Sequence, residues 1–373
     1  MAGFERIAEP PDRGMLTTLG ATIGRVAVSL AVPILAFLVL WQGFLFLRDS
    51  DADKPIIVIV AIVWGVGGVG GLYGISNWLI EKLPGPWRSR IIPFLFVGPA
   101  LAILTWYLFL PTLRSLYLSF FAGTSTTFIG LDNYIFALTD SVFQVAIRNN
   151  VLWLVLGTGL STGFGLLLAV LIDRVRYQAV AKTLVFLPLV ISFVGAGVIW
   201  RFVYAFKPAG QEQIGLLNAF VTSLGLEPQG WTTIEPWNTV FLIVILVWAQ
   251  TGFAMVILSA ALKGVPDELL EAARIDGASE RQVFMGVVIP TIKGSIITVA
   301  TTIAILSLKI FDIVKAMTGG QFDTNVIATL QFDQMFRFQD YGRGSALAII
   351  LLLAVTPVIW YNLRQFRQRE TFK

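Results

Sequence analysis

The amino-acid sequence predicts an all-α polytopic membrane protein with about eight transmembrane helices. Of its 373 residues 56% are hydrophobic and 13% are charged, a composition too apolar for a soluble globular protein. The apolar residues fall into runs that are each long enough to cross about 30 Å of hydrocarbon as a helix. Lysine and arginine are concentrated in alternate segments between these runs, as the positive-inside rule describes for membrane proteins.

The composition also excludes several classes of function. The chain has no cysteine and no histidine, which removes disulfides, Cys or His nucleophiles and the commonest zinc ligands. No catalytic constellation remains, so we do not expect an enzyme. The sequence lacks a G-x-x-x-x-G-K-[ST] phosphate loop, and we therefore expect this chain to bind no cofactor and no ATP of its own. The pI near 9.3 does not indicate nucleic acid, because the basic residues are spread over short inter-span segments.

The apolar runs divide the chain into a membrane core and two tails. In order, the runs are residues 25–47, 55–80, 91–110, 149–172, 183–206, 239–262, 287–311 and 344–361. Residues 1–24 lack the pattern of a cleavable signal peptide and are assigned to a cytoplasmic N-terminal tail. The remaining parts are two additional N-terminal transmembrane helices in 25–90, a six-helix core in 91–361 and a cytoplasmic C-terminal tail in 362–373.

The second apolar run is rich in glycine. Gly67 and Gly71, and Gly70 and Gly74, are four residues apart, a spacing that lets membrane helices approach closely. Flexibility of this helix is the alternative interpretation. After the third run, residues 112–147 form a polar, turn-rich stretch that leads into a surface helix.

The basic residues predict the orientation of the chain. With the N-terminus inside, most of the 27 lysines and arginines fall in segments that face the cytoplasm. Both termini and residues 263–290 then lie in the cytoplasm as well. Asp173 and Arg174, at the inner end of the fourth run, are expected to be interfacial anchors.

Residues 263–290 are a polar, helix-patterned segment between two long apolar runs. Pro266 suits the first turn of a helix, where Asp267 and Glu268 meet the positive end of the helix dipole. The helix is expected to end at Gly277, which can adopt the left-handed conformation. Ser279 and Gln282 have the spacing of a capping box that starts a second helix. From these features alone, an ordinary amphipathic connector remains an equal alternative.

The particular residues of this segment resemble those of a known family. Glu271-Ala272-Ala273, with Gly277 four residues later and Ile289-Pro290 after it, resembles the EAA loop in the membrane subunits of binding-protein-dependent ABC importers. In that family the loop docks in a cleft of the ATPase subunit. The resemblance implies six coupling residues, which are Glu271, Ala272, Ala273, Asp276, Gly277 and Ala278.

Further phrases resemble the carbohydrate permeases of these importers, especially the maltose-permease type. They are residues 130–134 (GLDNY), Phe311-Asp312, residues 318–320 (TGG) and residues 342–346 (GRGSA). The overall pattern is most similar to α-glucoside or glucosyl-glycerol permeases. The resemblance implies a type I ABC importer permease fold with a cytoplasmic coupling helix, placed in the bacterial cytoplasmic (inner) membrane. The implied partners are a second homologous permease, two ATPase subunits that bind ATP and Mg²⁺, and an extracytoplasmic sugar-binding protein.

Polar residues within the late spans are candidates for contact with a sugar. The residues themselves single out Ser192, Trp248, Gln250, Thr251 and Ser307, together with Thr298, Thr301 and Thr302. A hydroxyl often bonds back to its own helix, whereas a glutamine amide in the hydrocarbon layer is costly without partners. Trp248 offers an aromatic face of the kind on which sugars stack. The resemblance places the sugar site between the fifth, sixth and seventh spans and adds Leu189, Phe193, Phe253 and Ile303.

The main alternative is an ion-coupled secondary sugar carrier. Such carriers have ionisable groups near the midplane and inverted repeats, and neither is visible in the sequence. Lys309 and Asp312 are three residues apart at the end of the seventh span, where they can pair; a proton relay is the sharper alternative for them. An assembly factor without a transport pathway and a membrane enzyme are further alternatives.

Overall fold

The computed structural model describes residues 13–81, 85–123 and 126–370, and these are almost entirely helical. Phe121 and Phe128 form an isolated antiparallel bridge. The helices are α1 (Arg13–Asp49), α2 (Lys54–Ile62), α3 (Gly68–Glu81), α4 (Gly85–Leu104), α5 (Leu110–Leu118), α6 (Asp132–Thr139), α7 (Ser141–Leu152), α8 (Thr158–Ile172), α9 (Gln178–Phe186), α10 (Phe193–Val203), α11 (Leu216–Ser223), α12 (Trp237–Lys263), α13 (Asp267–Ile275), α14 (Glu280–Val283), α15 (Ile289–Leu308), α16 (Asp312–Met317), α17 (Ile327–Phe332) and α18 (Tyr341–Glu370).

Short stretches of other helical geometry join several of these helices. Turns of π-helix connect α2 to α3, α4 to α5, α7 to α8 and α14 to α15, and they lie at Val63–Gly67, Thr105–Phe109, Trp153–Gly157 and Phe284–Val288. A further π-helical turn at Asp333–Arg337 follows α17, and a 3₁₀ turn at Leu187–Val190 follows α9. Because π-helical turns often occur at functional sites, these four spans are candidates for a functional role.

Six helices in the described part of the chain are long and apolar enough to cross a membrane. They are Lys54–Trp78, Phe96–Leu118, Ser141–Ile172, Trp237–Lys263, Glu280–Leu308 and Tyr341–Asn362. A strongly bent pair, Gln178–Val190 with Phe193–Val203, is a seventh if it is counted as one span. The predicted number of eight is therefore approximate. The first predicted span, residues 25–47, lies within α1, a continuous helix of 37 residues.

The third membrane span is longer than the sequence pattern indicates. The sequence predicts polar, irregular structure from residue 112, but α5 continues the helix to Leu118. Thr112 is accommodated because its hydroxyl donates to the Leu108 carbonyl at 2.7 Å, which satisfies the polar group within the helix. The predicted surface helix after the turn-rich stretch is present as α6, and Gly130 in the preceding turn has a φ of 62°.

The chain forms two compact units, divided after Thr112. In the first unit, the four glycines of the predicted close-packing motif face open space, since a Cβ added at any of them meets no atom within 4 Å. The expected close approach through these glycines is thus wrong within this chain. Close approaches occur instead at Gly43, which lies against Trp64, and at Gly68, which lies against Leu40.

The second unit is built around α12. This helix contacts α8, α9, α10, α15 and α16, and most of its central residues are buried. Its sequence is apolar on all sides, as expected of a helix that is surrounded by others. Gly165 in α8 lies against Ala254, and Gly252 lies against the backbone of Val185 and Phe186. A larger side chain at either glycine would push the helices apart. The two glycines therefore permit the short distance between α12 and its neighbours.

Two of the phrases that carried the family resemblance lie against each other. Asn133 in the first phrase donates from Nδ2 to the carbonyls of Ser119, at 2.9 Å, and Phe121, at 2.8 Å. Gly342 in the second phrase lies against that same Phe121 carbonyl and the Asn133 amide. Arg343 stacks its guanidinium 3.9 Å from the centre of the Phe136 ring. Both phrases therefore hold the end of α5, α6 and the start of α18 together.

Candidate functional site

The segment that connects α12 to α15 folds as a helix, a bend and a second helix, as its sequence predicts. The first helix, α13, begins at Asp267, and Pro266 is its N-cap, one residue earlier than the predicted first-turn position. Asp267 and Glu268 occupy the first turn, where their charges favour the helix dipole. No residue of α13 is fully buried in this chain.

Gly277 ends α13 in the predicted left-handed conformation, with a φ of 80°. The N–H of Ala278 donates to the Ala273 carbonyl and the N–H of Gly277 donates to the Arg274 carbonyl, both at 3.0 Å, which is the Schellman pattern. Gln282 then accepts a hydrogen bond from the Ser279 N–H at 2.8 Å, as the capping-box spacing predicts. Hydrogen bonds therefore fix the backbone on both sides of the bend, where α13 ends and where α14 begins.

A further contact spans the bend. Arg274 Nε lies 2.9 Å from Glu280 Oε1, and both side chains are exposed. The hydrogen bond and charge of Glu280 raise the pKa of Arg274 above its ordinary value, so the guanidinium stays charged. An exposed pair of this kind contributes little to stability, and it helps to fix the angle of the bend instead.

The predicted coupling residues occupy the accessible side of this segment. Glu271, Ala272, Asp276 and Gly277 are exposed, whereas Ala273 and Ala278 are half-buried. Two apolar residues that the sequence interpretation did not include, Leu269 and Ile275, are also exposed, Ile275 to 85%. With Ala272 they recur every three residues along α13, a spacing that places them on one face and that could have identified them.

A cavity of about 510 Å³ lies behind residues 264–288, the segment between α12 and α15, which we call the coupling segment after its predicted role. Its lining is mainly apolar, with charged side chains from the end of the fourth span, from α12 and from the bend. The lining residues are Val170, Asp173, Arg174, Leu262, Lys263, Val265, Leu270, Arg274, Glu280, Val283, Phe284 and Val288. The cavity is therefore lined by side chains of both α13 and the end of the fourth span.

The predicted sugar contacts on α12 differ in how their polar groups are satisfied. Gln250 is 4% exposed, and its amide makes no hydrogen bond to any described residue. Thr251 donates to the Val247 carbonyl at 2.6 Å and is satisfied within its own helix. Trp248 is half-buried and packs edge-to-face on Trp200, with ring centroids 5.8 Å apart. Gln250 is therefore the residue of this group with hydrogen-bonding capacity left for another molecule.

The fifth span is broken, which the sequence interpretation missed. The sequence predicts one helix over residues 183–206, but α9 with its 3₁₀ turn and α10 are bent by 104°. Pro188 lies in the 3₁₀ turn, and Ser192 caps α10 by accepting a hydrogen bond from the Gly195 N–H at 3.1 Å. The break places the predicted contacts Leu189, Ser192 and Phe193 at or beside irregular backbone. Discontinuous helices of this kind are typical of solute sites in transporters.

The predicted contacts on α15 are fully buried within this chain. Ile303 and Ser307 are both 0% exposed. The Ser307 hydroxyl has no hydrogen-bond partner among the described residues, and a Cβ on Gly157 of the fourth span would lie 3.1 Å from it. Thr298, Thr301 and Thr302 each donate to a carbonyl of α15 itself. In this conformation Ile303 and Ser307 pack against the fourth and sixth spans rather than face an open space.

The predicted sugar contacts fall into two groups. Trp248 and Phe193 pack against one buried apolar cluster, which includes Leu246 and Trp153. Phe253 and Ile303 belong to a second cluster around Leu258. The structure thus brings the sixth span against both the broken fifth span and the seventh span, but it does not gather all nine side chains in one place. Their role as sugar contacts stays a prediction.

The expected pair between Lys309 and Asp312 does not form. Lys309 ends α15 and Asp312 begins α16, so the turn between them removes the helical spacing that would align the two side chains. Lys315 binds Asp333 instead, at 2.9 Å, and lies over the Phe332 ring. In the described part of the chain, no group of three or more acidic, histidine or cysteine side chains could hold a metal ion.

Known proteins with similar sequences are membrane components of transport systems. The family described as "Binding-protein-dependent transport system inner membrane component" matches residues 161–368. The osmoprotective compounds uptake permease protein GgtC of Synechocystis sp. is 56% identical over 75% of this chain and 100% of its own length. The alpha-glucoside transport system permease protein AglF of Rhizobium meliloti is 53% identical over 74% of this chain and 82% of its own length.

A solved structure extends the comparison to the fold. It is the crystal structure of a bacterial ABC transporter involved in the import of the acidic polysaccharide alginate, with a TM-score of 0.63 at 21% identity over 75% of this chain and 98% of that chain. The long apolar helices, the coupling segment and these matches lead to one conclusion. The chain belongs to the binding-protein-dependent transport system inner membrane components, the membrane permease subunits of ABC importers.

Proposed function

We propose that this chain is the membrane-spanning subunit of an ATP-driven importer for an α-glucoside, such as a disaccharide, or for a glucosylated osmolyte. It forms half of the translocation pathway and pairs with a second homologous permease. The observation that carries the substrate class is the 56% and 53% identity to relatives named for osmoprotective compounds and for α-glucosides. Glucosylated osmolytes and α-glucosides share a glucosyl ring, which one site can bind.

The geometry of the second unit supports a sugar ligand. Gln250 keeps both donor and acceptor groups unpaired in the most buried helix, and Trp248 presents an aromatic ring two residues away. Sugar recognition uses this combination, since hydroxyls need hydrogen bonds and the apolar face of the ring stacks on aromatic side chains. The break beside Ser192 adds irregular backbone whose polar groups can also face a pathway.

The energy for transport comes from partner subunits in this proposal. Two ATPase subunits, which bind ATP and Mg²⁺, each hold one coupling segment, and α13 with its exposed Leu269, Ala272 and Ile275 is the docking surface on this chain. Closure of the ATPases moves α13 and rocks the bundle between outward-open and inward-open states. The permease lies in the bacterial inner membrane, with both termini and α13 in the cytoplasm, and receives its sugar from an extracytoplasmic binding protein.

Uptake measurements test the substrate class. In cells that lack this chain, we expect expression of the wild-type protein to restore uptake of radiolabelled trehalose, sucrose or glucosylglycerol, but not of labelled xylose. Unlabelled α-glucosides should compete with the labelled compound. Restored uptake of a pentose alone, or of no glucoside, would contradict the proposed substrate class.

Purification tests the partners. An affinity-tagged chain extracted in mild detergent should bring with it a second permease and an ATP-binding cassette subunit. ATP hydrolysis by this preparation should rise when the binding protein and its sugar are added. A tagged chain that transports sugar without either companion would favour a secondary carrier instead.

A further inference from the structure

Asp173, immediately after the fourth span, binds side chains from two other elements. Lys182 Nζ on α9 lies 2.5 Å from Asp173 Oδ1. Ser259 Oγ on α12 donates to Asp173 Oδ2 at 2.8 Å, and Lys182 Nζ also donates to Ser259 Oγ at 2.6 Å. Lys263 Nζ, at the end of α12, lies 3.7 Å from Asp173 Oδ1. We call Asp173, Lys182, Ser259 and Lys263 the carboxylate cluster.

Three members of the carboxylate cluster are shielded from solvent more than the ion pair that spans the bend of the coupling segment, whereas the side chain of the fourth, Lys263, is 57% exposed. The side chains of Asp173 and Lys182 are 18% and 21% exposed, and Ser259 is 3% exposed. Partial burial by itself raises the pKa of the Asp173 carboxyl, but the hydrogen bonds and positive charges of Lys182, Ser259 and Lys263 outweigh it and hold the pKa below its ordinary value. The carboxylate is therefore ionised at neutral pH, and removing it would leave a shielded ammonium without its partner.

The cluster joins the elements through which a movement of α13 would have to pass. Ser259 and Lys263 lie in the last turns of α12, and only Gly264, Val265 and Pro266 separate the end of α12 from α13. Lys182 lies on α9, the half of the broken fifth span that leads to Pro188. Lys263 Nζ also contacts Gln178 Oε1 on α9 at 3.4 Å. The cavity behind α13 lies beside this junction, so the cluster is the polar connection between the coupling segment and the fourth and fifth spans.

Backbone packing continues the connection along the same two helices. Gly252, two residues after Gln250, lies against the Val185 carbonyl and Phe186 Cα near the end of α9. Along its length α9 is thus held to α12 at three places, by Gln178 with Lys263, by Lys182 with Ser259 and by the Gly252 contact. A rotation of α12 must carry α9, and with it the break beside the predicted sugar contacts.

We propose that Asp173 is a positioning residue that makes the end of the fourth span, α9 and the base of the coupling segment move as one body when the ATPases close. This inference rests on the proposed function, in which α13 docks an ATPase. Without the carboxylate, α13 still docks and ATP is still hydrolysed, but the movement is not passed to the fourth and fifth spans.

The test uses the assembled transporter, containing both permeases, the ATPases and the binding protein, in proteoliposomes. The measured quantity is sugar taken up per ATP hydrolysed. We expect Asp173→Asn to lower this ratio by about fivefold or more, a typical size for a coupling free energy between sites, while the ATPase still co-purifies in full. The double variant Asp173→Lys with Lys182→Asp, which restores an ion pair in reverse, should recover part of the ratio.

The Lys315–Asp333 pair supplies a matched control. It is also a lysine–carboxylate pair, at 2.9 Å, and its Asp333 side chain is 14% exposed, close to the 18% of Asp173. It connects α16 to the turn after α17 rather than to the coupling segment. We expect Asp333→Asn to leave the ratio of uptake to ATP hydrolysis close to wild type. An equal fall in Asp333→Asn, or an unchanged ratio in Asp173→Asn, would overturn the proposal.

A second variant keeps the test decisive if Asp173→Asn does not assemble. Ser259→Ala retains the Asp173–Lys182 pair and removes the hydrogen bonds that join this pair to α12, leaving only the longer 3.7 Å contact of Asp173 with the exposed Lys263. We expect an intermediate fall in the ratio with normal assembly, and an unchanged ratio would refute the role of the cluster. Failure of the proposed function itself would appear differently, because the wild-type chain would then bring down no ATPase and its uptake would not depend on ATP.

Discussion

Gln250 and Thr251 are neighbours on α12 with opposite hydrogen-bonding states. The threonine hydroxyl is satisfied by the Val247 carbonyl, whereas the glutamine amide has no partner among the described residues. Gln250 is 4% exposed, and its amide is not one of the fully enclosed polar groups without a partner in the described part of the chain. The unpaired amide is therefore available to form hydrogen bonds with another molecule.

This difference predicts opposite outcomes for two substitutions. Gln250→Leu should leave expression unchanged and stability equal or higher, because it replaces an unpaired polar group with an apolar one of similar volume. Uptake should nevertheless fall about tenfold or more, a typical effect of losing hydrogen bonds to a polar ligand. Thermal unfolding of the purified transporter and initial rates of labelled sugar uptake measure the two effects.

Thr251→Val is the matched control for Gln250→Leu. Its hydroxyl bonds only within α12, so we expect uptake to stay close to wild type. If Gln250→Leu transports normally with unchanged specificity, the assignment of Gln250 to the sugar site is wrong. If both variants lose uptake equally, packing around α12 rather than sugar contact is the cause.

At the scale of elements, the sequence correctly predicted those helices and bends that depend on residues near one another in the sequence. The bend of the coupling segment depends on residues that are close together in the sequence, namely Gly277 and the Ser279–Gln282 capping box. The structure contains the left-handed glycine and the capping-box hydrogen bond, as expected. Pro188 and Ser192 are local signals at the break of the fifth span, but the 104° angle between its two halves is a tertiary property that no local pattern reveals. The contact of Gly252 with Val185 and Phe186, next to the break, is likewise made between two helices far apart in sequence.

The same limit applies to side-chain pairs. Lys309 and Asp312 have a helical spacing in the sequence, but the helix ends between them and no ion pair forms. Lys182, Asp173 and Ser259 are separated by up to 86 residues and meet only through packing of three elements. The nine predicted sugar contacts were chosen by family resemblance and by their positions in the spans. Neither criterion reveals that Ile303 and Ser307 are buried, because burial depends on the packing of several helices.

The bend of the coupling segment gives a prediction about an element. Gly277 has a φ of 80° and its surroundings are open, so a larger side chain there causes backbone strain without a clash. Gly277→Val should cost about 1–2 kcal/mol locally, because a β-branched residue is disfavoured in the left-handed region. We expect the strain to change the angle between α13 and α14 and to reduce both uptake and sugar-stimulated ATP hydrolysis, with normal expression.

Gly286 provides a control for Gly277→Val. It lies on the same segment and is exposed, and a Cβ added to it also meets no atom within 4 Å, but its φ is not in the left-handed region. Gly286→Ala should therefore leave uptake and ATP hydrolysis near wild type. Unchanged uptake in Gly277→Val would remove the coupling role from this bend.

At the scale of the molecule, the two compact units have different packing. The second unit contains three buried apolar clusters, which centre on α12, on its contact with α8 and α15, and on the contact of α7, α17 and α18. The first unit contains one small cluster around Ile80, and most of its described large apolar side chains are exposed. Exposed apolar side chains on membrane helices are expected to face lipid or another subunit.

The family match lies within the second unit, at residues 161–368, and the match to GgtC covers only part of this chain. That relative is matched along 100% of its length by 75% of this chain, so about a quarter of the chain has no counterpart in a protein named as an uptake permease. The unit that begins at Leu113 carries α12, the carboxylate cluster and the coupling segment. We therefore infer that the two additional N-terminal spans are not needed for the transport cycle itself.

A truncated chain that begins at Gly85, and so retains α4 and everything after it, tests this inference. We expect it to insert into the membrane, to co-purify with its partners and to support uptake within about twofold of the full chain, since a unit with its own core folds on its own. Gln250→Leu in the truncated chain is the control, and it should lower uptake as it does in the full chain, because the pathway is the same. A truncated chain that assembles normally but transports nothing would instead place the N-terminal spans in the mechanism, and their exposed apolar surfaces would then be the first place to look for contacts with the second permease.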